Sequence, residues 1–286
     1  MKKIKNIIVS TDFSVTSRKA YRYAKTLASE LNASLTIVHV KDNLVIVSDV
    51  MIVPFTIEDD EELVKDIKNL MAEEDVAIRN KTTVEKVRIK IFKGDVVEVL
   101  TQLSKNGETD LIVMGTTGLS DILTKIFGST SIKVSNKAHC PVILVPRDVS
   151  WQPIKRIMFA SNYDSLTTNF INEMTDFAKN FDADIDFVNV KNFDPPLENK
   201  QKEIDWSELI VNDKNYSFQK HTIYGNDTIE QLQKYSDEKQ IDLMVFASKH
   251  RNFWQNLLHK SITENMALST IIPIMVIHFD DTKNQL

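Results

Sequence analysis

The chain has 286 residues, which is enough for about two domains that each bury a core of their own. Its composition, with 42% hydrophobic and 26% charged residues, is typical of a globular protein in water. The net charge of −5 argues against nucleic acid as a partner, because a nucleic-acid-binding surface needs clustered Lys and Arg.

The apolar runs are too short for a signal peptide or a membrane span, and the longest, 44–55, is interrupted by Ser48 and Asp49. A single cysteine, Cys140, excludes a disulfide within the chain and is typical of a reducing cytoplasm. We therefore expect a cytoplasmic protein that makes no membrane contact.

Strands and helices alternate along the first half of the chain. Short apolar runs predict five strands, at 4–10, 34–40, 87–92, 110–114 and 142–146. Apolar residues at helical spacing predict helices between the first two strands, around 63–71 and over 131–138. Near-continuous apolar strands flanked by amphipathic helices indicate an α/β fold, with a parallel sheet covered on both faces.

The same pattern occurs a second time later in the chain. Residues 7–13 align with 157–163 at an offset of 150 residues, and 110–114 align with 242–246 at an offset of 132. The second copy is therefore shorter by 18 residues, all between its second and third strands. We predict two copies of one domain, with boundaries at 1–147 and 148–286.

Three of the six glycines lie within a short stretch directly after the fourth predicted strand. Gly115, Gly118 and Gly128 form a G-x2-G-x9-G-[ST] pattern, with Ser129 and Thr130 near the start of a predicted helix. Such a stretch offers a phosphate group exposed N–H donors and the positive end of a helix dipole. A tight turn followed by a helix cap is the alternative explanation.

This glycine pattern, together with Asp12 after the first strand and Cys140-Pro141-Val142 before the last, resembles the universal stress protein family. The resemblance covers both halves, so the whole chain is similar to a tandem universal stress protein. It implies two doubly wound domains of the adenine nucleotide alpha hydrolase-like fold, each with five parallel strands in the order 3-2-1-4-5. It also implies ATP as a ligand, which one class of members binds, with Mg²⁺ as a candidate companion ion.

Carried over by position, the resemblance implies that Asp12 contacts the nucleoside and that the backbone of Val40 meets the adenine. Gly115 and Gly118 would lie against the ribose and phosphates, and 128–130 would hold phosphate oxygens. The nucleotide-binding residues implied in this way are Thr11, Asp12, Val40, Met114, Gly115, Gly118, Gly128, Ser129, Thr130 and Ser131. From the residues alone, Asp12 and Ser129 could also cap the helices beside them.

The second copy departs from this pattern at the aligned positions. Ala247, His250 and Lys260 stand where the first copy has its three glycines, and Asn162 replaces the carboxylate of Asp12. Side chains there obstruct the approach of the backbone to a phosphate, so we expect one ATP site per chain, in the first half. The second copy keeps the fold without these glycines. We therefore expect that a ligand requires them and that the fold does not.

Other residues give weaker indications. Cys140 is interpreted as a small hydrophobic residue at the start of a buried strand. His139, His250 and His259 lack the spacing of metal ligands, so no metal site is predicted. The segment 43–55 is unusually apolar for a connection, and it either packs over the core, covers the pocket or forms a contact surface.

The sequence gives little support for an efficient enzyme. The glycine loop lacks the lysine of a P-loop, and only Asp12 and Asp121 could hold Mg²⁺ there. We therefore predict an ATP-binding stress-response or signalling module, with no catalytic residues assigned and at most slow ATP hydrolysis. The alternatives are a slow ATPase or nucleotide-transferring enzyme using the same pocket, and a ligand-free protein that binds a partner.

Members of the family that the chain resembles often pair through their last strands, and this resemblance implies that 142–146 and 274–279 pair with each other within the chain. This pairing would cover two sheet edges at once and make the second copy a scaffold for the first. A homodimer through other surfaces and an unidentified protein partner are both compatible with this arrangement.

Overall fold

The structure, a computed structural model, describes residues 3–41, 45–48, 51–54, 60–78, 84, 87–116, 128–160, 168–191, 218–248 and 272–278. Within these ranges the first half contains β1 (Asn6–Thr11), α1 (Val15–Glu30), β2 (Ser34–Lys41), β3 (Val45–Ser48), β4 (Met51–Pro54), α2 (Asp60–Ala77), β5 (Val87–Lys93), α3 (Val96–Lys105), β6 (Leu111–Gly115), α4 (Ser129–Lys137) and β7 (Val142–Val145). The second half contains β8 (Arg156–Ala160), α5 (Thr168–Lys179), β9 (Asp184–Lys191), β10 (Phe218–Tyr224), α6 (Thr228–Lys239), β11 (Leu243–Ser248) and β12 (Ile274–His278). No helix in the described part of the chain is long and apolar enough to cross a bilayer.

Ten of these strands form one sheet, in the order β10-β9-β8-β11-β12-β7-β6-β1-β2-β5. The strands of each half run parallel to one another. With β3 and β4 left aside, each half has its strands in the order 3-2-1-4-5, so the predicted fold is confirmed. In both halves the first strand lies between the second and the fourth.

The two halves join through their last strands. β7 and β12 pair antiparallel, with Met275 opposite Ile143 and Val276 opposite Val142. All four residues are completely buried, so the junction is part of the core. The predicted pairing within the chain is therefore confirmed, and neither strand is left as an open edge.

One hydrogen-bond arrangement recurs in both halves and marks the repeat. The carboxylate of Asp110, just before β6, accepts hydrogen bonds at 2.9 Å from the backbone N–H groups of Lys5 and Asn6. In the second half Asp242 accepts in the same way from Lys155, at 2.8 Å, and from Arg156, at 2.9 Å. The aligned carboxylates thus fasten the beginning of the fourth strand to the beginning of the first.

Helix α1 packs small residues against the sheet. Ser14 caps it by accepting a hydrogen bond of 3.2 Å from the N–H of Ser17. The apolar residues of its buried face include Ala20, Ala24, Leu27 and Ala28, at the predicted helical spacing. Alanine at three of these four positions allows the helix to lie close to β1 and β6.

The core has two layers, one on each face of the sheet. The layer beneath α1, α2 and α5 runs through both halves without interruption. The layer on the opposite face is covered by α3, α4 and α6 and also includes residues of both halves. Helices therefore cover both faces, as the near-continuous apolar strands predict.

Part of the apolar segment 43–55 forms secondary structure that the sequence analysis did not predict. β3 and β4 pair antiparallel as a hairpin, with Ser48 opposite Met51 and Val45 opposite Pro54. The side chains of this segment lie outside the described residues. Packing over the core, a contact surface and a cover over the pocket therefore stay predictions.

The connection between the halves is packed against the protein. Val149 and Ile154 are buried in the layer beneath α1, and the ring of Trp151 meets that of Tyr23 edge-on, with centroids 4.7 Å apart. Val149 and Ile154 thus anchor the connection in the core, whereas Ser150, Gln152 and Pro153 between them are exposed. The domain boundary at 147/148 stays a prediction.

Candidate functional site

Most of the predicted site residues lie at one edge of the sheet, where the strands of the first half have their carboxyl ends. Thr11, the last residue of β1, is opposite His39 of β2, and Gly115, the last residue of β6, is opposite Val145 of β7. β1 lies between β2 and β6, where the strand order of the half reverses. In parallel α/β sheets this is where ligands bind.

A short turn carries Asp12 out of β1. The Asp12 carboxylate accepts a hydrogen bond of 3.0 Å from the N–H of Ser14, and the N–H of Phe13 donates to the Thr11 hydroxyl at 3.2 Å. Ser14, and not Asp12, is the N-cap of α1. The carboxylate is partly exposed at the mouth of the turn.

Buried hydroxyl groups fix this turn to the start of α1. The Ser17 hydroxyl donates to the carbonyl of Ser14 at 3.0 Å, which uses its only proton. In its 3.2 Å contact with Ser17, the Thr11 hydroxyl is therefore the donor. The end of β1 and the first turn of α1 are thus held in one geometry.

Gly115 lies against the backbone of α1. A Cβ at this position would stand 2.8 Å from the carbonyl carbon of Thr16 and 2.9 Å from its carbonyl oxygen, which is too close for any side chain. The expectation that the fold does not require the three glycines is therefore wrong for Gly115. Its aligned residue Ala247 has a Cβ, but Leu166, which aligns with Thr16, lies outside the described residues.

The other two glycines differ from Gly115. Gly128 has φ −65° and ψ 148°, an extended conformation open to any residue. Gly118 lies outside the described residues, as does the loop 117–127 around it. In the second half, His250 and Lys260 also lie outside them.

Helix α4 begins beside the end of β6 with exposed residues in its first turn. Gly128 is its N-cap, and among the described residues no side chain caps this end. Ser129 and Thr130 follow it and are exposed, so Ser129 does not occupy the cap position. The first N–H groups of a helix have no partner within the helix and attract anions.

Ser131 and Thr116 hold α4 in this place. The N–H of Gly128 and the hydroxyl of Ser131 both donate to the carbonyl of Thr116, the latter at 3.0 Å. Ser131 also contacts the carbonyl of Gly128 at 2.9 Å and is only 3% exposed. The hydroxyl of Ser131 therefore positions the helix relative to β6.

Val40 and Met114 lie at the same edge of the sheet, but their side chains face the core. They are 9% and 6% exposed. Any contact that these two residues make with a ligand at this edge would use their backbone.

His39 is a residue of this edge that the sequence analysis did not select. Its Nδ1 lies 2.8 Å from the carbonyl oxygen of Thr11, and its ring is 5.0 Å from that of Phe13. A polar residue between two buried valines near the end of β2, repeated as Asn189 in the second copy, is the signal that could have identified it.

No group of three or more metal-ligating side chains occurs in the described part of the chain. Burial raises the pKa of the Cys140 thiol to about 12, and the nearby charge of Asp110 adds to this shift. A thiol with so high a pKa is protonated and unreactive at neutral pH. Cys140 is half-buried and packs against the core layer of α3 and α4, so its interpretation as a small buried hydrophobic residue is correct in part.

Comparison with known sequences gives matches over about half of the chain. A sequence profile described as the universal stress protein family matches residues 3–146. Universal stress protein MJ0531 of Methanocaldococcus jannaschii is 28% identical over 149 residues, which is 50% of this chain and 82% of the relative. Universal stress protein YxiE of Bacillus subtilis is 30% identical over 151 residues, 49% of this chain and 97% of the relative.

Solved structures match the two halves together. A universal stress protein from Archaeoglobus fulgidus superimposes with a TM-score of 0.67 over 97% of each chain, at 17% identity. PA1789 from Pseudomonas aeruginosa, described as functionally unknown, superimposes with a TM-score of 0.56 over 97% of this chain and 94% of its own, at 13% identity. At such identities these likenesses establish the two-domain fold alone.

Proposed function

The chain belongs to the universal stress protein family, and on that premise we propose that it is a cytoplasmic, ATP-binding stress-response or signalling module. A single ATP site lies in the first half. The observation that carries this proposal is the exposed start of α4, which no described side chain caps and which Thr116 fixes beside the turn of Asp12.

The start of α4 supplies what a polyphosphate needs. The first N–H groups of a helix have no partner within the helix and lie at the positive end of its dipole, and the exposed residues Ser129 and Thr130 in this turn carry hydroxyl groups that are further donors. ATP brings up to four negative charges, so Mg²⁺ would accompany it. Asp12 supplies an acidic group in the turn after β1, which is the strand next to β6.

The spacing of the strands suits a nucleotide that lies across the edge. Neighbouring strands are about 4.8 Å apart, so β2 and β6, on either side of β1, are about 10 Å apart. In this pose the base lies at the backbone of Val40, the sugar near Asp12 and the phosphates near Gly115 and α4. The nucleoside end and the phosphate end thus contact different strands.

The proposal favours binding over rapid catalysis. The loop after β6 lacks the P-loop sequence, in which a lysine reaches the β- and γ-phosphates. Hydrolysis at an enzymatic rate would also require a base that positions water. A slow ATPase or nucleotide-transferring activity in the same pocket is the alternative, and turnover above about one per second would establish it in place of a binder.

Titration calorimetry with Mg-ATP tests the site and its number. We expect one ATP per chain, and we expect Gly118→Lys to abolish binding because its side chain would fill the phosphate position. His250→Lys changes the aligned residue of the second half and is the matched control, with no expected effect. Two equal sites, or binding that survives Gly118→Lys, would contradict the proposal.

A second variant tests the start of α4 directly. Gly128→Asp places a carboxylate at the N-cap, where it satisfies the helix N–H groups and repels phosphate, so we expect affinity for ATP to fall at least about tenfold. Gly128→Ser caps the helix without charge and should weaken binding less. Equal affinities for the wild type and the Asp variant would exclude this helix as the phosphate site.

A further inference from the structure

The imidazole of His39 contacts both residues that flank Asp12 in the chain. Its Nδ1 is 2.8 Å from the carbonyl oxygen of Thr11, before Asp12 in the chain, and its ring is 5.0 Å from that of Phe13, after it. A carbonyl oxygen only accepts hydrogen bonds, so Nδ1 carries a proton in this contact. Both the neutral Nδ1–H tautomer and the imidazolium can donate in this way.

This hydrogen bond extends the connection between β2 and β1 beyond their backbone pairing. Thr11 is the last residue of β1 and pairs in register with His39. At the point where the backbone leaves the sheet, the side chain of His39 supplies the next donor. The exit direction of the chain is thereby fixed just before Asp12.

Phe13 has a backbone conformation that needs such support. Its φ is 63°, in the left-handed region, which is unfavourable for a bulky side chain. The N–H of Phe13 donates to the Thr11 hydroxyl, and its ring packs at 55° to the plane of His39. Residues in this region persist when their surroundings hold them there, and such residues cluster at functional sites.

We propose that His39 is a positioning residue for the nucleotide site. By holding the carbonyl of Thr11 and the ring of Phe13 together, it keeps the backbone on both sides of Asp12 in the conformation that presents the carboxylate to the nucleoside. This inference rests on the proposed function for the ligand, whereas the restraint on the turn itself does not depend on any ligand. His39 acts through Asp12 and has no assigned contact with the nucleotide.

The second half suggests a variant that separates the hydrogen bond from the ring contact. Asn189 stands at the position aligned with His39. An asparagine amide nitrogen is as many bonds from Cα as the Nδ1 of histidine, so His39→Asn keeps a donor for Thr11 and loses the ring. His39→Leu loses the donor, and Phe13→Leu removes the ring contact from the other side.

Two measurements on the full chain test the inference. Amide hydrogen exchange of Phe13 and Ser14, measured by NMR without nucleotide, should be faster in His39→Leu and close to wild type in His39→Asn. Calorimetry with Mg-ATP should give about tenfold weaker binding for His39→Leu, since one such hydrogen bond contributes about a factor of ten, and within about threefold of wild type for His39→Asn. Phe13→Leu should lie between them.

The controls separate a local effect from a general one. Asn189→Leu, at the aligned position of the second half, should leave both the exchange of Phe13 and the affinity for ATP unchanged. Unchanged exchange and affinity in His39→Leu would overturn the inference, and so would equal losses in His39→Asn and His39→Leu. If the wild type does not bind ATP, the proposed function fails, and the exchange rates still decide whether His39 holds the turn.

Discussion

Gly115 lies where the end of β6 passes the first turn of α1, with the backbone of Thr16 occupying the place of a side chain. Packing alone therefore gives a reason for glycine at this position. Gly128 differs, because its extended backbone is open to any residue and its local structure gives no reason for glycine. A test of ligand binding should accordingly use 118 and 128, and a test of packing should use 115.

Gly115→Ala is expected to destabilise the protein whether or not a nucleotide is bound. The new Cβ would stand 2.8 Å from the Thr16 carbonyl carbon, and overpacking of this kind costs about 1–3 kcal/mol of unfolding free energy. Urea denaturation without ligand measures it. Ser129→Ala, in the exposed first turn of α4, is the control and should change the unfolding free energy by less than about 0.5 kcal/mol.

Cys140 is expected to react slowly with thiol reagents while the protein is folded. Burial raises its pKa to about 12 from an ordinary value of about 9, so at pH 8 the folded protein has about a thousandfold less thiolate than the unfolded chain. The rate of reaction with a disulfide reagent, with and without denaturant, measures this difference. Comparable rates in both states would show that the thiol is accessible.

The same shift gives the sign of a pH dependence. Because the pKa is raised in the folded state, the thiol favours folding below about pH 9, and this contribution is lost as the pH rises toward about 12. A urea titration repeated across this range should show a steeper fall in stability for the wild type than for Cys140→Ala.

Two of these residue contacts show what sequence patterns cannot reveal. The approach of Gly115 to Thr16 joins residues about a hundred positions apart, and it depends on how closely α1 lies on the sheet. A glycine pattern is the same whether a ligand or a helix backbone excludes the side chain. The sequence shows His39 only as a polar residue near the end of a strand. It does not indicate that His39 contacts Thr11 and Phe13.

Helix α2 is held to α1 by ion pairs around one buried carboxylate. Glu74 is 4% exposed and accepts hydrogen bonds from Arg22 and, at 3.4 Å, from Arg18. Glu73 beside it is exposed and lies 2.5 Å from Arg18.

The next residue, Asp75, also contacts α1, through a hydrogen bond from Tyr21 and an ion pair with Lys25. Three consecutive acidic residues thus contact one face of α1 with different degrees of burial.

Glu74→Ala is expected to lower the unfolding free energy by about 2 kcal/mol, because Arg22 loses the acceptor of its hydrogen bond and Arg18 keeps only its ion pair with Glu73. Glu73→Ala, one residue earlier in the same helix, is the matched control and should cost less than about 1 kcal/mol, since its carboxylate is exposed. Urea denaturation of both variants gives the comparison. Equal losses would show that burial of Glu74 adds nothing to its ion pairs.

The elements that the sequence predicted well are those with uninterrupted apolar runs. Each of the five strands predicted in the first half overlaps an observed strand, with ends that differ by no more than two residues. β3 and β4 were not predicted because Ser48 and Asp49 interrupt the apolar run and leave two short pieces, so the whole segment was interpreted as a connection. Two short apolar pieces around a polar pair are also the pattern of a hairpin, and the sequence does not distinguish the two.

The two halves share one continuous sheet and one continuous core layer beneath α1 and α5. The first half taken alone would therefore expose the edge of β7, which now pairs with β12. It would also lose Val149 and Ile154, which are buried in the core layer beneath α1. The repeat and its offsets predicted two similar folds, and the resemblance to the universal stress protein family implied the pairing of their last strands.

Residues 1–147 produced alone are expected to form dimers or larger assemblies, because an unpaired β7 offers its edge to a second copy. Size-exclusion chromatography with light scattering measures the assembly state. Addition of residues 148–286 should convert these assemblies to a one-to-one complex. A stable monomer of 1–147 with the full affinity for ATP would show that the second half is not needed as a scaffold.

The antiparallel junction of β7 and β12 also determines which way the strands of each half point. Since the strands are parallel within each half and the halves run oppositely, the carboxyl ends of the first half face one long edge of the sheet and those of the second half face the other. The edge that carries Thr11 and Gly115 therefore faces away from the corresponding edge of the second half, and the two edges cannot meet. Under the proposed function, a nucleotide bound at the edge of the first half would therefore change the surface on one side of the sheet and leave the opposite side unchanged.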